Sequence, residues 1–350
     1  MAASFIPRMA FPVLDSLPRS YYLGHHAAGL ATMKTMLSQI DLVLECRDYR
    51  VPFTSINPLF ENALGGKERV IIYTKQDLGQ TSSGQHKEQH GLLKKFFRPT
   101  SQVLFSDHKN PQSVKGILRC IKSSVSARNN LTGSYIMTVG MPNVGKSSLL
   151  NALRRSGVGK GKAATTGAQP GVTRKIAKSG VKIIDGQKEG DGTNDVYLLD
   201  TPGVFIPYVP NAEAMLKLAL CGSVKDTIIS PVTLADYLLY QLNLHDPKVY
   251  GEYCPPTNDV QEILAAVAQR TGRFGKGGDP DLDAAALWVI QRWRRGELGR
   301  FVLDEVTEKS FIAMMDGRES AQGSMNQARK AMKELQRERA RAKRSGAESG

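Results

Sequence analysis

Four cysteines, Cys46, Cys120, Cys221 and Cys254, are all that the 350 residues contain, and no two of them stand in a C-x-x-C spacing. That pattern excludes a clustered-cysteine zinc site and a disulfide framework, and it fits a reducing compartment. No apolar run approaches the ~20 residues that a membrane-spanning helix needs. No internal repeat is visible. Acids are scarce: 33 Asp and Glu stand against 47 Lys and Arg, a formal net charge of +14 with a pI near 9.6. Such a balance points to a polyanionic partner, and RNA is the expected one. In the N-terminal region Asp15 is the only acid before Asp41, with Arg8 and Arg19 beside it. Residues 1–20 are therefore compatible with an organelle transit segment, although Pro7, Pro12 and Pro18 interrupt any helix there.

Hydrophobic residues make up 41% of the chain, enough for a real core, and the length suits two ordinary domains. Short apolar runs at 41–46, 69–73, 102–105, 135–139, 181–185 and 195–199 read as strands. Helical spacing at 30–40, 92–97 and 114–125 alternates with them. Strands alternating with helices predict a mostly parallel α/β sheet with helices on both faces. From about Asn211 strand runs disappear, and 214–220, 234–242, 260–269 and 284–294 carry helical patterns, predicting a second, all-α domain. The expected organisation is an α/β domain over 21–208, a helical domain over 209–317 and a basic tail over 318–350. Arg329–Arg344 of that tail holds eight basic residues and two acids, a charge density suited to RNA contact.

The chain is organised around Gly140-Met141-Pro142-Asn143-Val144-Gly145-Lys146-Ser147, which fits G-x-x-x-x-G-K-[ST]. An apolar strand precedes it and Ser148-Leu149-Leu150 opens a helix after it, the context in which this loop cradles phosphates. Its backbone N–H groups and the helix N-terminus face phosphate oxygens. Lys146 is expected on the β- and γ-phosphates and Ser147 on Mg²⁺. Asp200-Thr201-Pro202-Gly203 stands at a strand end 54 residues after Lys146. There Asp200 would hold Mg²⁺, mostly through water, and the Gly203 N–H would face the γ-phosphate. Between them lies Pro170-Gly171-Val172-Thr173, whose threonine can close over the metal; Thr165 and Thr166 compete for that role.

Base choice is read from Thr74-Lys75-Gln76-Asp77, at the end of the 69–73 strand, which resembles the guanine-reading [NT]-K-x-D. Asp77 would accept from guanine N1–H and the 2-amino group, a pair adenine cannot offer in that pattern, with Lys75 along the base. Ser106-Asp107 follows the next strand, where a backbone N–H would meet guanine O6. GTP with Mg²⁺ is thus the expected ligand pair. The motif order is unusual: Asp77 precedes Gly140 by 63 residues, whereas an ordinary GTPase places its phosphate loop first. A permuted chain can still close the same sheet, because domain termini are often near one another.

These residues together resemble the circularly permuted ribosome-assembly GTPases of the YlqF/RbgA family, and more narrowly its mitochondrial ribosome-associated branch. The resemblance runs from about Tyr22 to Arg300 and takes in Gly24-His25, the 41–52 segment ending Asp48-Tyr49-Arg50-Val51-Pro52, and the motifs above. It implies GTP hydrolysis during maturation of a mitochondrial large ribosomal subunit, with ribosomal RNA contacted by the helical C-terminal domain. It further implies a matrix location, peripheral association with the inner membrane, and a monomer off the ribosome. Val204 follows DTPG where many GTPases carry a water-orienting glutamine. The resemblance implies that His25, beside His26, supplies that function instead. Asn143 matches a position linked to K⁺, which would stand in for an arginine finger. Two positions depart from the pattern: Thr74 replaces an asparagine and offers fewer hydrogen bonds, and Asp107 replaces an alanine. The alternatives are a nucleotide-regulated RNA scaffold with negligible hydrolysis, separable by turnover assays, and an ATP-using P-loop enzyme, separable by ATP competition.

Overall fold

The computed structural model describes residues 5–12, 14, 17, 24–64, 66–79, 83–97, 101–126, 133–167, 180–189, 194–206, 209 and 211–316. Residues Met1–Val306 form one compact unit; Thr307–Gly350 form another, in which residues 308–316 are helical. The 318–350 tail, the Pro170–Thr173 segment and half of the N-terminal 20 residues lie outside the described residues.

Six strands build one sheet: β1 (Leu42–Asp48), β2 (Arg69–Thr74), β3 (Gln102–Phe105), β4 (Ser134–Gly140), β5 (Val181–Ile184) and β6 (Val196–Leu199), in the spatial order β3-β2-β1-β4-β6-β5. Every pairing is parallel except β5 against β6, an antiparallel edge. The six apolar runs of the sequence thus all become strands, and the mostly parallel α/β architecture expected from them is the one found. Helices α1 (Gly24–Met36), α2 (Pro58–Ala63), α3 (Ser83–Phe97), α4 (Pro111–Ser126), α5 (Lys146–Val158) and the single turn α6 (Gly186–Glu189) connect them.

The strands' two-residue period sorts the core. Leu42, Leu44 and Cys46 of β1 share one buried cluster with Val70, Ile72 and Ile136 and with the apolar faces of α4 and α5. Val43, Met137, Val139 and Leu199 point the other way, into a second cluster with Met33 of α1 and Leu59 and Phe60 of α2. On α4 the spacing Val114, Ile117, Leu118, Ile121, Val125 is one continuous buried face. Each such side chain contributes roughly 1.5–3 kcal/mol of transfer free energy.

Four further helices follow: α7 (Ala212–Leu220), α8 (Pro231–His245), α9 (Val260–Thr271) and α10 (Leu282–Arg294). Side chains of Asn211, Asp259 and Asp281 cap α7, α9 and α10 by accepting from Ala214, Gln261 and Ala284 N–H groups, satisfying donors that a helix start leaves open. Their apolar faces join the first cluster without a break, so Leu216, Leu238, Val267 and Trp293 belong to the same buried network as the sheet. Among the described residues no helix is long and apolar enough to cross a membrane.

Candidate functional site

Because β1, β2, β4 and β6 run parallel, their carboxyl ends, at Asp48, Thr74, Gly140 and Leu199, fall on one edge of the sheet. Strand β1 hydrogen-bonds β2 on one side and β4 on the other, and a crevice opens where connections leave in opposite directions, the usual place for a ligand in such a sheet. A cleft of about 280 Å³ lies there, lined by the phosphate loop, Lys75, Thr201 and Gly203 from the sheet side and Gln291, Arg294 and Arg295 from α10.

The loop between β4 and α5 needs left-handed backbone at Asn143 (φ 56°) and Gly145 (φ 94°). A Cβ on Gly140 would stand 2.4 Å from the Cys46 carbonyl oxygen, so only glycine lets β4 run this close to β1. Val144 is buried in the core, while Ser147 and Ser148 line the cleft at the start of α5. Lys146 is folded back over the loop and donates to Met141 O (2.8 Å) and Gly140 O (3.2 Å). Burial lowers its ammonium pKa, opposed by the Asp200 and Cys46 side chains, so its charge is poised for an anionic partner. Ser147 Oγ donates to Asp200 Oδ2 at 2.5 Å. Among the described residues no three His, Cys, Asp or Glu side chains gather as a metal site. A hydroxyl with one carboxylate, leaving other positions to phosphate oxygens and water, fits Mg²⁺.

The DTPG segment is tied to this loop. Val204 N–H donates to Gly140 O at 3.2 Å, Thr201 Oγ1 donates to Thr138 O at 2.6 Å, and Asn57 Nδ2 holds Val204 O at 2.8 Å. Val204 itself is fully buried in the α1-side cluster, which is why it orients no water. A Cβ on Gly203 would lie 2.4 Å from Pro142 Cα and 2.6 Å from Pro142 N, both backbone atoms. Gly203→Ala is therefore expected to force the two loops apart at a cost of about 1–3 kcal/mol. GTP hydrolysis should fall far more than the melting temperature does; parallel turnover and thermal-melting measurements check this.

His26 sits beneath this segment, 1% exposed, with Nδ1 2.9 Å from Gly203 O and 3.4 Å from Phe205 N. It positions the DTPG turn from α1. His25 is on the first turn of the same helix, and its side chain lies outside the described residues, as does all of Thr173. The rival threonines Thr165 and Thr166 line the cleft. They are brought there by Asn151, which accepts from Ala163 and Ala164 N–H (3.0 Å each) and donates to Ala164 O (2.8 Å).

On the base side, Lys75 (φ 56°) donates to Asn143 O at 2.6 Å and to Asp48 Oδ2 at 2.8 Å. Burial lowers its pKa, and Asp48 opposes that. Thr74 Oγ1 contacts Val144 O and, at 3.1 Å, Arg47 O; one hydroxyl proton serves two carbonyls, so the threonine binds the phosphate loop to β2. Asp77 Oδ1 is buried without a partner, while Oδ2 is 3.4 Å from Nζ of Lys109, a side chain 68% exposed. An orphaned carboxylate oxygen at a strand end fits the donors of a guanine edge. Ser106 N–H donates to Tyr73 O at 2.7 Å and Asp107 N–H to Ser113 Oγ at 3.0 Å, so both amides of that pair are engaged within the protein.

Three sets of contacts here follow from no motif. Asp48 takes a forked pair from Arg50 (3.0 and 2.8 Å) besides Lys75. Burial would raise its carboxyl pKa, but Arg50 and Lys75 outweigh burial and hold it well below the ordinary range. Arg50 also lies 4.8 Å over the Trp293 ring. Asn143 Nδ2 donates to Gly222 O (2.8 Å) and Ser223 Oγ to Pro142 O (3.1 Å). Arg294 grips Asp226 and the carbonyls of Ala219 and Leu220 at the end of α7. The alternating charges of Glu45, Arg47 and Asp48 closing an apolar strand were the available hint to a buried ionic cluster; nothing local marks Gly222 or Ser223.

A phosphate loop facing a hydroxyl–carboxylate pair, with a guanine-type strand end beside it, defines a P-loop GTPase whose base-reading segment comes first in the chain. Comparison with known proteins agrees. Residues 135–266 match the family model described as a 50S ribosome-binding GTPase. The chain is 37% identical to mitochondrial GTPase 1 of Schizosaccharomyces pombe, covering 88% of this chain and 96% of that one. It is 35% identical to the mitochondrial ribosome-associated GTPase 1 of Xenopus tropicalis (87% and 100%) and 36% to that of Mus musculus (85% and 93%). The fold matches GNP-bound YlqF from T. maritima with a TM-score of 0.53 at 21% identity, over 79% of this chain and 97% of that one. The chain belongs to the mitochondrial GTPase 1 family, and it is a circularly permuted GTPase.

Proposed function

We propose that this GTPase assists assembly of the mitochondrial large ribosomal subunit, contacting its ribosomal RNA through the helical region 209–317 and the basic tail. The names of its relatives and a net charge of +14 support that reading. The observation that carries the nucleotide half is the buried, unpartnered Asp77 oxygen at the β2 end, aligned by Lys75 with the phosphate loop. The proposed roles are specific. Lys75 and Asp77 hold guanine, with Thr74 tying their segment to the phosphate loop and Ser106 closing the base pocket. Asn143 through Ser148 cradle the phosphates with Gly203 at the γ-phosphate. Ser147, Thr173 and Asp200 hold Mg²⁺, whose charge offsets that of the β- and γ-phosphates. His25, carried by α1 beside the His26 that seats Gly203, orients the attacking water. Asn143 serves K⁺: its Nδ2 is pinned to Gly222 O, which fixes the carboxamide's orientation. The protein works in the matrix, at or near the inner-membrane face, as a monomer off the ribosome, and residues 1–20 direct it there.

The test is GTP turnover in KCl and in NaCl, with and without purified mitochondrial large subunits. Stimulation by both potassium and subunits, on the order of tenfold or more each, is expected. GTP binding without hydrolysis under any condition would replace this proposal with an RNA scaffold regulated by nucleotide.

A further inference from the structure

Residues 108–184 contain no aspartate or glutamate, yet hold fourteen lysines and arginines. Only some of these serve the nucleotide cleft. On α4, Lys115, Arg119 and Lys122 recur at i, i+4 and i+7, beside the face that carries Val114, Ile117 and Ile121 into the core. Lys115 and Arg119 are exposed, and the helix carries no acid at all. With Gln112 at the head of the same stripe, the row is about 15 Å long at the α-helical rise. It borders a groove of about 410 Å³ shared with Ser156 and Gly157 at the end of α5. The floor is low because Gly157 meets β5 backbone to backbone; a Cβ there would fall 1.9 Å from Ile183 O. Exposed Arg155 in the last turn of α5, and Lys160 and Lys162 after it, continue the positive charge.

One position at the edge of the stripe has no internal explanation. Gly116 lies one turn after Gln112 and one turn before Arg119, in mid-helix, where glycine costs about 1 kcal/mol relative to alanine. A Cβ there would meet nothing within 4 Å, so packing within the protein does not require it.

We infer that this α4–α5 face is a second RNA-binding surface, on the GTPase sheet rather than the helical region, fitted to the phosphate backbone of double-stranded ribosomal RNA. The inference rests on the proposal that the chain works on a ribosomal particle. Charge selects the partner: a run of regularly spaced cations with no acid matches a regular array of phosphates. A groove whose charged groups are all basic recognises shape and charge rather than base edges, as duplex RNA demands.

The test uses the full chain and a 20-base-pair RNA duplex, read by fluorescence anisotropy at several KCl concentrations. For the triple variant Lys115→Gln/Arg119→Gln/Lys122→Gln, affinity should fall at least about tenfold at 100 mM salt. The slope of log K against log salt should become shallower by about 2–3. Basal GTP turnover and melting temperature should not change, since none of the three touches the nucleotide cleft. Gly116→Gln should bind RNA more weakly while melting higher, an outcome that simple damage to the helix cannot give. An unchanged salt slope in the triple variant, or no duplex binding by the wild type, would overturn the assignment. So would preference for poly-glutamate over duplex, lost in the triple variant, which would make this a site for an acidic protein. Subunit-stimulated hydrolysis is measured separately, so failure here and failure of the assembly role give different patterns.

Discussion

Asp77→Asn is expected to weaken GTP binding by about 10²- to 10⁴-fold while leaving the fold intact. In the structure, one oxygen of this carboxylate is buried without a partner and the other has only the distant ammonium of a mostly exposed lysine. The group is therefore left unspent for a ligand. Two charge-assisted hydrogen bonds to guanine contribute about 1.5–3 kcal/mol each, and an amide offers one acceptor oxygen where the carboxylate offers two. Adenine presents a different edge, so the preference for GTP over ATP should collapse along with the affinity. Xanthine carries a carbonyl where guanine carries its amino group, so Asp77→Asn should regain binding towards xanthosine triphosphate by donating Nδ2–H. Competition titrations with the three nucleotides decide the matter. Retention of the GTP-over-ATP preference would remove Asp77 from base recognition.

The second large effect is on stability. Asp48→Ala strips the shared anion from a buried Arg50 and a part-buried Lys75, held at 2.8 Å each. Breaking a buried pair from one side costs about 3–5 kcal/mol, because the surviving charges stay desolvated. That is a large share of the ~5–15 kcal/mol that holds a typical protein folded. Nucleotide affinity should drop as well, since Lys75 also braces Asn143. Adding Arg50→Met should recover part of the loss, which a double-mutant cycle in denaturant would show. The pH dependence follows the same pair. Folding depresses the Asp48 pKa, so its stabilisation is complete above the ordinary carboxylate pKa of ~3.9 and fades as pH falls towards the depressed value. Denaturant midpoints of the wild type should therefore fall more steeply below pH ~4 than those of the Asp48→Ala/Arg50→Met protein, whose profile lacks this contribution.

The fold was largely legible because its signals are local. Six apolar runs bounded by turn residues became the six strands, and the period of Val114, Ile117, Leu118, Ile121 and Val125 announced α4 without any knowledge of what it covers. The short α2 escaped notice, since six residues after Pro58 give too little period to read. The phosphate loop and the DTPG segment were legible because each places its chemistry within one strand–loop unit. The remainder of the site depends on contacts that no spacing encodes. Lys75 reaches Asn143 across 68 residues, Asn143 reaches Gly222 across 79, and His26 reaches Gly203 across 177. Thr74 is instructive: as a substitution for asparagine it reads as a weakened base contact, yet its hydroxyl lies against Val144 O and holds the phosphate loop.

The turn at 221–223 hydrogen-bonds two successive residues of the phosphate loop, through Gly222 O and Ser223 Oγ, and it follows directly from the end of α7 that Arg294 grips. The stretch of chain that shapes the triphosphate's seat is thus also a wall of the helical region. Whatever displaces one must work against the other. If docking of the helical region changes GTP affinity by some factor, GTP must change docking by the same factor. Loading and release from the particle then become a single two-way bargain, struck over a turn of three residues.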